Sequence, residues 1–344
     1  MTQPFAQPWW AGPSDVEEST LHFGAELGSG GQGRVLRIAD HPNLVFKQYK
    51  VRGADLHALG LLVDIPAQLP PAERERLYQQ SCWPLARVFN KGQLSGFLMR
   101  QIPDQFFAAN SAGDMKLRQL QFLVYPRKSF WGDIVPVTGV NAQTRISVAS
   151  QFAQLLGVLH SRALVVGDVS MNNVLWSGTD AGTASICLID CDGIRRLGSR
   201  PVLPQADTLD WNDPLQSPSG SDLDSDRYKL ALLVARVLTM SPYLRPGDSL
   251  RPVPGIPDRT TQRLDALWRQ AAGAHGVRPV ASQWVMALSD RDEIVLPRPP
   301  VRPVPSLKYQ PLDGPGVRPA IQLPPSSGSD PVTKPPSALP ASAQ

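Results

Sequence analysis

Asp168 and Asn173 stand with four residues between them, and Asp190 follows at the end of Ser185-Ile186-Cys187-Leu188-Ile189, a run patterned as a strand. A carboxylate, a carboxamide and a second carboxylate are hard oxygen donors of the kind magnesium takes. Phosphoryl transfer needs little covalent chemistry from protein, but it does need such ligands and a carboxylate beside the acceptor hydroxyl. Asp168 is then the base or acceptor-orienting residue, and Asn173 and Asp190 are the metal ligands. The bland alternative, two solvated turn carboxylates, does not account for all three residues in this order.

A second group lies upstream. Gly28-Ser29-Gly30-Gly31-Gln32-Gly33-Arg34-Val35 fits G-x-G-x-x-G-x-V and sits between two expected strands. A dinucleotide-binding fold needs a helix after its glycines, whereas a glycine hairpin laid over ATP needs a strand and brings its N–H groups to the phosphates. Gly28, Ser29, Gly30, Gly31, Gln32, Gly33 and Val35 are the expected ATP contacts; a plain flexible glycine turn is the competing reading. The next strand, Leu44-Val45-Phe46-Lys47, ends in a lysine that matches the V-A-I-K pattern, whose lysine contacts the α and β phosphates. Lys50 competes for that role, but strand alternation puts Lys47 and Tyr49 on one face and Lys50 on the other.

The elements that must carry these residues follow from periodicity. Leu21 to Leu27, Arg34 to Ala39 and Leu44 to Tyr49 alternate like strands, with His41-Pro42-Asn43 as a tight turn. Leu85 to Phe89 and Gly96 to Ile102 are two more, joined by a turn at Asn90-Lys91-Gly92. Asp55 to Gln80 reads as helix broken by Pro66, Pro70 and Pro71. Phe152, Leu155, Leu156 and Leu159 share one helical face leading into the Asp168 loop, and a further helix follows Asp226. The expected architecture is α+β: a small antiparallel β lobe at 21–102 and a larger, mainly helical lobe at 103–292. A flexible leader is expected at 1–20, and a disordered tail at 293–344, where prolines crowd from Pro297 onward.

Composition narrows the partners. The net charge is +4, but Lys and Arg are scattered, which argues against a nucleic-acid surface. Cys82, Cys187 and Cys191 lack metal-ligand spacing and read as reduced thiols. Met1 to Trp10 holds no signal-like pattern. Leu230 to Met240 is interrupted by Arg236 and falls short of the roughly 20 residues a spanning helix needs. A cytoplasmic protein without membrane partners is expected.

Over residues 21–290 the chain resembles the bacterial eukaryotic-like protein kinases, in a divergent subgroup whose catalytic loop begins Gly-Asp. The resemblance rests on the glycine loop, Lys47, Gly167-Asp168 with Asn173, Asp190, Asp226, and Arg278-Pro279 with Trp284. It implies a bilobal protein-kinase-like fold, ATP and Mg2+ as cofactors, and transfer to Ser or Thr hydroxyls of a protein substrate. It also implies that Asp226 braces the catalytic loop. By analogy a cognate metal-dependent phosphatase and a von Willebrand-type domain protein are partners.

Departures from the pattern set further expectations. Val166-Gly167 replaces His-Arg, which removes the arginine that receives an activation-loop phosphate. Ser170 replaces a lysine, and Asp190-Cys191-Asp192 replaces D-F-G. The acid partner of Lys47 is open among Asp55, Asp64, Glu73 and Glu75, with Glu73 preferred. A-P-E is reduced to Asp213-Pro214-Leu215, leaving Arg278 without an obvious carboxylate. Two other readings stand beside the protein kinase: a small-molecule kinase of the aminoglycoside or choline type, and a pseudokinase that binds nucleotide as a scaffold.

Overall fold

The structure, a computed structural model, describes residues 10, 12–126, 140–178 and 182–289. The expected disordered tail at 293–344 lies outside the described residues, as does the start of the leader.

Among the described residues, seven helices and a six-stranded sheet make a mixed α+β fold. Strands β1 (Asp15–Glu17), β2 (Phe23–Ser29), β3 (Gly33–Ile38) and β4 (Leu44–Tyr49) come first. Helices α1 (Leu56–Asp64) and α2 (Pro71–Gln80) precede β5 (Pro84–Asn90) and β6 (Gln93–Arg100). The strand order is β1-β5-β6-β4-β3-β2. Every neighbouring pair is antiparallel except β1 with β5, which runs parallel from Asp15↔Arg87 to Glu17↔Phe89. The leader is therefore corrected at its end: residues 15–17 form an edge strand, held by the paired bonds of Arg87 to both oxygens of Asp15 at 2.6 and 2.7 Å and by buried Val16.

The prolines act where expected, since α1 passes into a single turn at Ile65–Gln68 and Pro71 opens α2 in the first-turn position that tolerates a missing N–H. Alternation along β4 divides its side chains between two apolar layers. Leu44 and Phe46 join Leu36, Ile38, Ala86, Val88 and Leu98 on the outer face. Val45 joins the main core, which runs on through Phe97, α1 and α2 into the helices beyond.

Beyond the sheet lie the short pair β7 (Phe107–Ala109) and β8 (Met115–Leu117), then α3 (Gln121–Val124) and α4 (Ala142–Ser161). The site loops occupy β9 (Leu164–Val165), β10 (Val174–Gly178), β11 (Ala184–Leu188) and β12 (Arg195–Arg196). Helices α5 (Leu223–Thr239), α6 (Asp258–Ala271) and α7 (Ala281–Ala287) complete the core. Asp222 caps α5 by accepting from Asp224 N and Ser225 N, both at 2.9 Å, so the acidic run forms the first turn where carboxylates favour the helix dipole. Among the described residues no helix is long and apolar enough to cross a membrane.

Candidate active site

The turn between β9 and β10 carries Asp168 and Asn173. Its backbone is fixed from α5: the fully buried carboxylate of Asp226 accepts from Val166 N at 2.6 Å and Gly167 N at 2.9 Å. His160, at the end of α4, lies 3.2 Å from the same carboxylate. Gly167 has φ +81°, and a Cβ there would run into the Gln205 side chain, so both conformation and space call for glycine.

Both oxygens of Asp168 are held. Thr208 donates from Oγ1 at 2.9 Å and from its N–H at 3.2 Å to Oδ1, while Asn173 Nδ2 donates to Oδ2 at 2.7 Å. Burial pushes the Asp168 carboxyl above the ordinary range, opposed by these bonds and by the charge of Lys229. Ile189 N donates to Asn173 O at 2.9 Å, continuing the antiparallel β10–β11 ladder and bringing Asp190 beside Asn173. Asp190 itself adopts a left-handed backbone, φ 55° and ψ 40°, and leaves 58% of its side chain exposed. Such a conformation is uncommon outside glycine and is often found at functional sites.

From the sheet, Lys47 reaches this cluster. Its Nζ lies 2.6 Å from Asp192 Oδ1 and 3.1 Å from Asp190 Oδ1. Burial works against its charge, but Asp192 and Asp190 outweigh that and hold the ammonium above the ordinary lysine range. Tyr49, on the same face of β4, donates to Asp192 Oδ2 at 3.2 Å, and burial beside Asp192 pushes its phenol up, so it stays a donor. Gly96 permits the close pairing of β6 with β4, since a Cβ there would collide with the Lys47 carbonyl.

The expected partner of Lys47 is thus corrected. Glu73 pairs instead with Arg162 at 3.0 Å, Asp55 caps α1 by accepting from Ala58 N, and Glu75 accepts from Gln79. Proline leaves α1 and α2 as two separate helices, and Asp192 supplies the acid from the turn after β11. Arg278 also has its carboxylate: Asp213 receives both terminal nitrogens, at 2.5 and 2.8 Å, in full burial.

The glycine loop joins β2 to β3, with Gly30 N donating to Gly33 O at 2.8 Å. A Cβ on Gly33 would meet Gln48 O at 2.6 Å, whereas one on Gly28, Gly30 or Gly31 would meet nothing within 4 Å. Those three glycines also lack positive φ. Neither packing nor backbone conformation demands them, so they leave open surface for something outside the chain to approach. Ser29 accepts from Lys50, Gln32 Nε2 donates to Pro204 O at 3.1 Å, and Val35, partly buried, packs against the core as the register partner of Lys47.

Asp192, Tyr49, Thr208 and Lys229 were not among the expected site residues. Tyr49 was within reach of sequence reasoning through the alternation of β4, and Asp192 through its spacing of two from Asp190. Thr208 and Lys229 depend on contacts across 40 and 62 residues, which no local pattern encodes.

Among the described residues no group of three His, Cys, Asp or Glu side chains is gathered into a self-sufficient metal site. Magnesium bound with nucleotide phosphates needs only one or two protein carboxylates, and Asp190, exposed beside Asn173, has that character. A scan against protein-family models and a search of curated proteins each returned no match to this chain.

Proposed function

We propose that this chain is an ATP- and magnesium-dependent protein kinase of bilobal kinase-like fold, which moves the γ-phosphoryl group to a Ser or Thr hydroxyl of a protein. The observation that carries this reading is the meeting of Lys47 from the sheet with Asp190 at 3.1 Å, where Asp190 follows Ile189, the backbone partner of an Asn173 bonded to Asp168. Residues drawn from 143 positions apart form one charged cluster of the kind phosphoryl transfer requires.

When bound, ATP and magnesium supply the transferable group and neutralise its charge. Asp190 and Asn173 would hold the metal, and Lys47 would give its charge to the phosphates while Asp192 keeps that ammonium in place. The open surface at Gly28, Gly30 and Gly31 lets phosphates approach the loop backbone closely. Asp168 orients the acceptor hydroxyl and takes its proton.

Incubation with labelled ATP and magnesium tests the reading when generic protein acceptors, aminoglycosides and choline are offered in parallel. Label is expected on protein alone. Label on a small molecule would favour the aminoglycoside or choline type, and magnesium-dependent nucleotide binding without transfer would favour a pseudokinase.

A further inference from the structure

Lys229 sits in α5 among Tyr228, Leu230, Ala231, Leu232 and Leu233, and is fully buried. A lysine is seldom so placed unless paired, because removing an ammonium from water costs several kcal/mol. Its Nζ meets two oxygens, each at 2.5 Å: the carbonyl of Gly167 and Oδ1 of Asp207. The first is the residue before Asp168. The second is the residue before Thr208, whose hydroxyl and N–H grip Asp168. One buried cation therefore joins the segments on both sides of the Asp168 carboxylate, through the Gly167 backbone and the Asp207 side chain.

Neighbouring contacts grip the same segment without any phosphate. Gln205 Nε2 donates to Val166 O at 3.3 Å, and Gln205 Oε1 accepts from Arg195 at 3.1 Å. Arg236, about two turns along α5 from Lys229, donates to Asp210 O at 2.9 Å and stacks over Trp211 at 4.8 Å. Helix α5 thus presents two buried cations to residues 207–211, in a chain that has glycine and serine at the two cationic positions of the catalytic loop.

We propose that Lys229 is a positioning residue for phosphoryl transfer: it clamps Gly167 to Asp207, setting Asp168 and the Thr208 segment in register without loop phosphorylation. This inference rests on the kinase reading above. A clamp of this kind acts on the acceptor side, away from the glycine loop, so its loss should lower kcat and spare ATP binding.

The test uses the full chain with Lys229→Met and, because a buried substitution can impair folding, Asp207→Asn at the partly exposed end of the pair. Transfer of label from ATP to a generic protein is measured against ATP concentration, and hydrogen exchange is followed at residues 199–212. Both variants should lose kcat by about tenfold to a hundredfold, as for a slightly misplaced catalytic group. KM for ATP should change less than about twofold, and exchange at 199–212 should quicken while α4 stays protected. Unchanged kcat and exchange, or a loss confined to KM for ATP, overturns the proposal. A wild-type chain that transfers no label refutes the kinase reading and the catalytic part of this inference together; a wild-type chain that transfers while both variants match it refutes the clamp alone.

Discussion

Lys47 and Asp192 form the buried ion pair of this site, 2.6 Å apart with 8% and 4% of their side chains exposed, while Asp190 touches the same lysine from a side chain 58% exposed. The two aspartates therefore have different work. Losing Asp192 removes the buried counter-charge and leaves the ammonium only the exposed Asp190, a loss of up to about 3–5 kcal/mol. Losing Asp190 removes a solvated partner, worth about 1 kcal/mol or less. Urea unfolding of Asp192→Ala and Asp190→Ala should show that ordering; equal losses would contradict the assignment of Asp192 as the structural counter-charge.

The Arg278–Asp213 pair is bidentate, wholly buried and roofed by Tyr228, whose ring centroid lies 4.8 Å from the guanidinium carbon. Arg278→Met should cost about 3–5 kcal/mol, since it leaves the buried Asp213 carboxylate without its cation, and Asp213→Ala less, since Asp224 Oδ2 remains 3.2 Å from the guanidinium. The double variant should cost less than the sum of the two, a coupling that a double-mutant cycle in urea would read directly.

Burial raises the Asp168 carboxyl pKa despite its bonds to Thr208 and Asn173. A carboxyl whose folded pKa exceeds its unfolded one favours the fold while protonated, and that contribution is lost as pH rises through the folded value. Asp168→Asn cannot ionise, so its melting temperature should gain on the wild type between acid and neutral pH. A variant melting temperature that falls relative to the wild type as pH rises would be inconsistent with this sign.

Gly30 and Gly31 have open space around them and ordinary φ, so the fold does not require glycine at either position. Gly30→Val and Gly31→Val should alter stability by no more than about 0.5 kcal/mol. Both should diminish the thermal shift that ATP with magnesium produces, because a bound ligand stabilises the fold more the tighter it binds. A full shift in both variants would separate this loop from the nucleotide.

Much of this arrangement is legible in the amino-acid sequence because it is local. The alternation of β4 places Lys47 and Tyr49 together, the spacing from Asp168 to Asn173 closes one turn, and the apolar face of α4 delivers that turn. What escapes is non-local or carried by single residues. Glu73 looks like the natural partner for Lys47 on a helix following the lysine strand, yet the prolines divide that helix and the acid comes from Asp192, 145 residues away. Asp213 meets Arg278 across 65 residues. Strand β1 has only Val16 buried in three residues, too short to show a period. Lys229 carries no local signal of its role, which appears only with the two oxygens it meets.

The most direct measurement is magnesium-dependent transfer of label from ATP to protein by the wild-type chain, Asp168→Ala and Asp190→Ala, each checked for folding. The wild type should label itself or a generic protein acceptor, and both variants should fall by about a hundredfold or more, the scale of losing a general base or a metal ligand. Equal labelling by all three would contradict the assignment of this cluster as a phosphoryl-transfer centre.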